Sequence, residues 1–326
     1  MRGAAARQPG ESTAPATAGR DVKSRPYPER SVRRFGFHVS IAGGLGHVLE
    51  RARERHCTAV QMFTSSPSQW RTVAVDPEAA AALREGLAAA DIRPHFVHAI
   101  YLLNLASPDQ ELWRRSVRHL TEEVKRAALV GAAGVVFHLG SVGEGGRVRD
   151  GVRRVAKALR EVRERAEVGV PLILENSAGA GNTLGGTPEQ IGEMMAQAGE
   201  AEPLRLCLDT AHSFVAGLPV HTAEGLEETL ARVEQAMGRG RLALLHLNDS
   251  KYEFGTHRDR HWHLGKGCIG REGLARIINH PRLQALPMIM ETPGTVDDDR
   301  RNMYAVRRML PREERWELRR RRGREG

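Results

Sequence analysis

The sequence predicts a single (β/α)8 barrel, a closed ring of eight parallel strands with helices between them. Short apolar runs typical of buried strands recur eight times, and stretches rich in Ala, Leu, Glu and Arg separate them. Together they span about 270 residues, close to the roughly 250 residues that such a barrel takes. An open doubly wound sheet is the alternative. However, the SIAGGLG that follows the first run is not the glycine-rich phosphate motif GxGxxG.

The predicted strands, in chain order, are FGFHVS, TAVQMF, RPHFVH, GVVFH, PLILE, RLCLD, LALLHL and LPMIME, at residues 35–40, 58–63, 93–98, 134–138, 171–175, 205–209, 242–247 and 286–291. The helices are clearest at PEAAAALREGLAAA and ELWRRSVRHLTEEVKRAALV, which are rich in residues that favour helices. We therefore predict that the barrel domain covers residues 35–309.

Two basic segments flank the predicted barrel. Residues 1–34 hold eight Arg and Lys and three acidic residues, and they lack apolar periodicity, so we predict a disordered arm. Residues 310–326 are predicted to form a basic tail, and residues 307–326 hold nine Arg and four Glu. The net charge of +9 therefore lies in the tails. They either only keep the chain in solution or also raise its affinity for nucleic acid.

Composition excludes several other classes of protein. The sequence has no apolar run of the roughly 18–20 residues that a membrane span needs, and its first residues lack the apolar stretch of a secretory signal. An organellar transit peptide is the alternative there, but Glu11 and Asp21 interrupt it. Three widely spaced cysteines without a CxxC motif favour a reducing, cytoplasmic location. Any metal site must then use His and carboxylate ligands.

Histidine, aspartate or glutamate recurs where the predicted strands end. In a barrel all strand ends of the same polarity meet at one mouth, where active sites lie. Two further pairs, spaced i, i+3 and i, i+2, follow the sixth and seventh strands. The residues concerned are His98, His138, Glu175, Asp209, His246 and Glu291 at strand ends, with His212 beside Asp209, and the pair Asp259 and His261.

These nine side chains, five imidazoles and four carboxylates, predict a metal centre. Any one of them could be an ordinary polar group at a strand end, but six of eight strands end this way. Nine ligands exceed what one tetrahedral ion can use, and four acids packed together without cations would take up protons. We therefore expect more than one divalent ion, a cluster suited to phosphoryl transfer.

The motifs GFHVSIAGGL, QMFTSSPSQW, HAIYLLNLASPD, FHLGS, LILENSAGAGNTLG, LCLDTAHSFVAG, HLNDSKYEFGTHRDRHWHLGKGCIG and IMETP, taken together, resemble the endonuclease IV family of base-excision repair. The resemblance implies three zinc ions, for which manganese or iron could substitute. It assigns His98, His138 and Glu175 to one ion. Glu175 would bridge to a second ion held with Asp209, His246 and Glu291. The third would be held by His212, Asp259 and His261.

The activity implied is hydrolysis, in duplex DNA, of the phosphodiester bond 5′ to an abasic site, leaving a 3′-hydroxyl and a 5′-deoxyribose phosphate. A metal-bound hydroxide would attack, with Glu175 and Glu291 as catalytic residues. The partner would be duplex DNA with abasic sites or blocked 3′ ends, and the enzyme a monomer. The residues that the resemblance brings to DNA are Tyr101, Leu102, Ser68, Gln69 and Lys266. Ser68 stands where relatives often carry Arg, and Lys266 where they carry an acid.

Two rival functions remain open. A metal-dependent sugar isomerase or epimerase of the same barrel class would need only Glu175, Asp209, His246 and Glu291. A non-catalytic DNA-damage binder could keep its metals for structure. Among the other histidines, we predict that His263 is structural and that His38 lies either beside the site or in the core. Surface positions are predicted for His47, His56, His119, His221 and His280.

Overall fold

The structure of the protein is a computed structural model that describes residues 33–199 and 204–314. Residues 1–32 of the predicted arm and 315–326 of the predicted tail lie outside these residues, so the domain boundaries at 35 and 309 stay predictions.

Eight parallel strands form a closed barrel, as predicted. They are β1 (Phe35–Val39), β2 (Ala59–Met62), β3 (His95–His98), β4 (Val135–Phe137), β5 (Leu172–Glu175), β6 (Leu204–Asp209), β7 (Leu242–His246) and β10 (Met288–Met290). Their order around the barrel is β1-β10-β7-β6-β5-β4-β3-β2, so each strand lies beside its neighbour in the chain, and β10 closes on β1. A short antiparallel pair, β8 (Asp249–Ser250) and β9 (His261–Trp262), follows β7.

Helices connect the strands. They are α1 (Gly46–Glu54), α2 (Pro77–Ala89), α3 (Gln110–Val130), α4 (Val148–Ala166), α5 (Pro188–Ala198), α6 (Thr210–Val215), α7 (Ala223–Met237), α8 (Gly270–Asn279) and α9 (Val296–Met309). Local sequence explains their ends. The Asp109 side chain accepts hydrogen bonds from the first turn of α3, and Gly131 ends that helix with a left-handed φ of 71°. None of the helices in the described part of the chain is both long and apolar enough to cross a membrane.

One layer of the barrel interior is formed by one residue from each strand. Seven of them form a separate apolar cluster: Ala59, Phe96, Val136, Ile173, Cys207, Leu244 and Ile289. The eighth strand contributes Gly36, where a Cβ would lie 1.7 Å from the carbonyl oxygen of Ala59. Because side chains alternate along a strand, the residue two positions later points inward again, one layer nearer the mouth.

Candidate metal centre

The layer above the apolar one is polar at all eight positions, which lie within a strand or directly after it. It consists of His38, Gln61, His98, His138, Glu175, Asp209, His246 and Glu291, each two residues after its apolar partner. Six of these are predicted metal ligands. The barrel thus brings together predicted ligands that are up to 193 positions apart in the sequence, between His98 and Glu291.

The structure sorts eight of the nine predicted ligands into three groups. Within each group, one nitrogen or oxygen atom per residue lies within 4.8 Å of the others. The groups are His98, His138 and Glu175; Glu175, Asp209, His246 and Glu291; and Asp209, His212 and His261. Two carboxylates, Glu175 and Asp209, are shared between groups, so the three groups form one continuous cluster.

The first group is oriented by backbone hydrogen bonding. The Nδ1 atom of His98 lies 2.7 Å from the carbonyl oxygen of Ala99 and donates to it, which turns Nε2 toward the site. That Nε2 is 3.1 Å from Oε2 of Glu175, and Nε2 of His138 is 3.7 Å from the same oxygen. The three donors therefore face a common point.

The second group uses the other oxygen of Glu175. The Nδ1 atom of His246 lies 3.2 Å from Oε1 of Glu175, 3.3 Å from Oε2 of Glu291 and 3.9 Å from Oδ2 of Asp209. All four side chains are buried or nearly so. The Glu175 carboxylate thus presents one oxygen to each of the two groups.

The third group differs in one member from the set that the resemblance implied. Asp209 approaches it from inside, with Oδ2 3.4 Å from Nε2 of His261. Asp259 lies on the exposed side, 3.2 Å from Nε2 of His212 and 3.7 Å from Nε2 of His261. Both carboxylates are thus within reach of the two imidazoles, and Asp259 is the only one of the nine predicted ligands that falls outside the three groups.

The imidazoles and carboxylates of the cluster shift each other's pKa values. Burial alone would raise the pKa of Glu175, but the rings of His138 and His246 hold it well below its usual value. Burial alone would lower the pKa of His212, but Asp209 and other carboxylates raise it well above its usual value. Neighbouring positive charge therefore holds Glu175 in its ionised form, and either protons on imidazoles or bound metal ions would supply that charge.

Three amide residues that sequence reasoning missed hold the ligands. Asn248 donates to Oδ2 of Asp209 (2.7 Å) and accepts from the backbone N–H of Glu291 (2.8 Å). Asn176 accepts from the backbone N–H of Asp209 (2.7 Å), and its carbonyl oxygen is 2.9 Å from Nδ1 of His212. The third is Gln61. Asn176 follows a ligand by one residue and Asn248 by two, which is the signal that could have found them.

The glycine-rich LGKGCIG segment wraps a buried carboxylate. The side chain of Asp249 accepts hydrogen bonds from the backbone N–H groups of Gly265 (2.9 Å), Gly267 (2.9 Å) and Ile269 (3.0 Å). At Gly267 a Cβ would lie 2.3 Å from the carbonyl oxygen of Ser250, so the segment needs glycine there to close on Asp249.

The side chains predicted to contact DNA lie at the surface. Tyr101 is 59% exposed, although its ring centroid is 5.8 Å from that of His98 and 6.2 Å from that of His138. Leu102 is 36% exposed, and Ser68, Gln69 and Lys266 are also exposed. The backbone N–H of Tyr101 donates to the carbonyl oxygen of Pro67 (3.1 Å), which joins the two loops that carry four of these residues.

The structure also places two histidines, His38 and His119, whose positions the sequence left open or predicted differently. His38 is beside the site, with Nδ1 3.3 Å from Oε1 of Glu291. The prediction that His119 is a surface residue is wrong, because it is 5% exposed on the inner side of α3. Its ring packs against Trp70, with centroids 5.7 Å apart. An isolated His in an Arg-rich helix gives no sign of this, since the Trp that covers it lies 49 residues earlier.

Comparison with known proteins identifies relatives along almost the whole described chain. The family model described as Xylose isomerase-like TIM barrel matches residues 49–317. The probable endonuclease 4 of Halothermothrix orenii is 38% identical over 261 residues, which are 80% of this chain and 93% of that protein. That of Methanosphaerula palustris is 40% identical over 285 residues, covering 86% and 99% of the two chains.

Solved structures show the same relationship. The crystal structure of endonuclease IV from Thermus thermophilus superimposes with a TM-score of 0.74 at 37% identity, covering 85% of this chain and 98% of that one. A D-tagatose 3-epimerase-like protein superimposes with a TM-score of 0.64 at 21% identity, which is a likeness of fold alone.

Proposed function

The chain belongs to the endonuclease IV family of xylose isomerase-like TIM barrels, and from this we propose that it is a DNA repair endonuclease. Its proposed reaction is hydrolysis of the phosphodiester bond 5′ to an abasic site in duplex DNA, which leaves a 3′-hydroxyl and a 5′-deoxyribose phosphate. The proposed substrates include blocked 3′ ends, and the proposed working form is a monomer in the cytoplasm.

The observation that carries the proposal is the surplus of ligands. Four residues, Glu175, Asp209, His246 and Glu291, would suffice for a sugar isomerase. Two further groups adjoin them, with four additional imidazoles, at His98, His138, His212 and His261. These have no role in one- or two-metal sugar chemistry, whereas a phosphodiester in transit offers several oxygens for several cations to neutralise.

The donors present fit divalent metal ions. Imidazole nitrogens and carboxylate oxygens suit zinc, and manganese or iron are possible substitutes. We propose three zinc ions, one per group, with Asp259 completing the outermost group from its exposed side. When bound, such ions supply a nucleophilic water at neutral pH and neutralise charge on the phosphate.

The protein's own residues would then have separate roles in the reaction. Glu175 presents one oxygen to each of two groups and so sets the distance between them. Glu291 closes the second group through Oε2, and Nδ1 of His38 lies 3.3 Å from its other oxygen. At the rim, Tyr101 and Leu102 are exposed next to the ligands, as needed to fill a gap left by an extruded abasic nucleotide.

The remaining proposed DNA contacts are polar. Ser68 and Gln69 lie on the loop that is hydrogen-bonded to Tyr101 through Pro67, and Lys266 offers a cation for a phosphate. Ser68 is shorter than the arginine common at this position in relatives. We therefore expect a smaller distortion of the duplex from this loop.

The test is incision of a duplex with one abasic site by zinc-loaded protein, with both new ends mapped. We expect a cut 5′ to the lesion and a 3′-hydroxyl end. Glu175→Gln should lower the rate by at least about 100-fold, the order lost when one charged group is removed from an active site. Glu85→Gln, on the exposed face of α2, is the matched control and should leave the rate unchanged.

Three other outcomes would contradict the proposal. A folded, zinc-loaded protein that binds abasic DNA without cutting it would be a damage binder. One that epimerises or isomerises sugars and ignores DNA would be a sugar enzyme. A cut on the 3′ side of the lesion would place it in another class of nuclease.

A further inference from the structure

Two members of the eight-residue polar layer are not predicted ligands, His38 on β1 and Gln61 on β2. Gln61 is fully buried, and β2 carries it directly beside His38 in the parallel register. Its amide lies between side chains from three other strands, those of His38, His246 and Glu291.

We propose that Gln61 is a positioning residue that fixes which nitrogen of His246 faces the metal group and holds the carboxylate of Glu291 in place. This inference rests on the metal dependence in the proposed function, but not on the substrate. It concerns how the second group of ligands is prepared to receive an ion.

The direction of the amide follows from its partners. Nε2 of Gln61 lies 2.9 Å from Oε1 of Glu291, and Oε1 of Gln61 lies 2.9 Å from Nε2 of His246. A carboxylate only accepts hydrogen bonds, so the amide NH2 must face Glu291. The amide oxygen, which also only accepts, then faces His246. The reverse orientation would set two oxygens 2.9 Å apart.

The tautomer of His246 follows in turn. Because Oε1 of Gln61 accepts, Nε2 of His246 must carry a proton and donate it. In the neutral ring Nδ1 then has a free lone pair, directed at the Glu175 and Glu291 oxygens 3.2 and 3.3 Å away. A lone pair facing two carboxylates is repulsive unless a cation lies between them.

His246 differs in this respect from other ligands of the cluster. For His98, His212 and His261 one ring nitrogen meets a backbone carbonyl, of Ala99, Asn176 and Glu291 respectively. A backbone carbonyl is present whichever residue occupies that position. For His246 the acceptor is a side chain, so one substitution can remove it.

The amide nitrogen of Gln61 also contacts His38. Its Nε2 is 2.9 Å from Nδ1 of His38, and the same Nδ1 is 3.3 Å from Oε1 of Glu291. The other ring nitrogen of His38, Nε2, is buried and has no hydrogen-bond partner among the described residues. Through the two ends of its amide, Gln61 therefore contacts side chains at the ends of β1, β7 and β10.

The test compares Gln61→Met with wild type as full-length protein. Met fills a similar volume but offers no amide hydrogen bonds. We expect zinc affinity, measured by competition with a chromophoric chelator, to fall by about 10- to 100-fold for one ion, as when other outer partners of metal ligands are removed. Gln197→Met, an exposed glutamine on α5, should leave zinc affinity and stoichiometry unchanged.

A spectroscopic readout separates positioning from mere packing. Nitrogen-15 NMR of labelled histidine should show the His246 proton on Nε2 in zinc-loaded wild type, and a mixture of states in Gln61→Met. A proton on Nδ1 in wild type would overturn the inference, even if the variant fails to fold. So would unchanged zinc affinity in a folded variant. Failure of DNA incision with these results intact would overturn only the proposed function.

Discussion

His261 and His263 are two residues apart, yet their side chains go to different places. In a continuous strand both would point to one side. The strand β9 ends at Trp262, and the backbone N–H of Leu264 already donates to the side chain of Asn302 on α9 (3.0 Å). His263, the residue before Leu264, is turned toward the same side chain, with Nδ1 3.3 Å from the amide nitrogen of Asn302. The end of the strand thus decides which imidazole reaches the site.

The two histidines should therefore differ in their effect on metal content. We expect His261→Ala to lose about one zinc ion per chain, because Nε2 of His261 faces His212 at 3.4 Å in the outermost group. His263→Ala should keep the full complement, and at most lower thermal stability through the contact with Asn302. Elemental analysis of the two dialysed variants measures this. Equal loss of zinc in both would contradict the assignment.

At the scale of elements, α3 supports a loop that carries proposed DNA contacts. Arg126 donates to Oε2 of Glu123 (2.6 Å) and to Oγ1 of Thr64 (2.9 Å), which itself donates to Glu123. All three are buried. At the other end of the same loop Trp70 lies against His119, and Arg115 stacks over its ring at 4.5 Å. The loop from 64 to 70 is therefore held at both ends by one helix.

His119 makes this contact sensitive to acid. Burial lowers its pKa to about 4, and the charges of Arg126 and Arg115 act in the same direction. In the unfolded chain a histidine has a pKa of about 6.5. As the pH falls below that value, the unfolded state binds a proton that the folded state refuses. The free energy of unfolding therefore falls with pH between about 6.5 and 4.

His119→Phe should remove this part of the acid sensitivity. Phe keeps an aromatic ring against Trp70 and cannot be protonated. Between about pH 7.5 and pH 5 we expect the free energy of unfolding to fall by about 1–2 kcal/mol less in the variant than in wild type. Chemical denaturation at several pH values measures the difference. His47→Phe, at an exposed position of α1, is the control and should follow wild type. Parallel curves for His119→Phe and wild type would refute the prediction.

For the whole molecule, strand alternation and barrel closure explain what could be predicted. Eight apolar runs predict the barrel, and polar residues at their ends predict the mouth, because every inward position recurs two residues later. Residues that hold the ligands or the loops in place were harder to predict from the sequence. Gln61 ends no run and has no charge, and its role depends on which strands are neighbours after closure. His119 depends on a loop that crosses it.

The barrel itself carries little net charge, so charge outside it should matter for DNA. Residues 1–32 and 315–326 carry a net charge of about +7 of the total of +9. The chain enters and leaves the described part at one place, where Nε of Arg33 lies 2.6 Å from Oε2 of Glu314. The two ends of the described chain, to which the tails are joined, are therefore close together.

Removing both tails should weaken the salt dependence of DNA binding. Each phosphate neutralised by a basic side chain contributes about −0.9 to the slope of log K against log salt. For residues 33–314 we expect that slope to become shallower by about 3, with incision at low salt and zinc content unchanged, since the ligands all lie within that range. A full-length variant with the six arginines of 315–326 replaced by Gln separates charge from chain length, and it should show part of the same change. If neither protein differs in slope from wild type, the tails only keep the chain in solution, and the affinity for DNA comes from the barrel mouth alone.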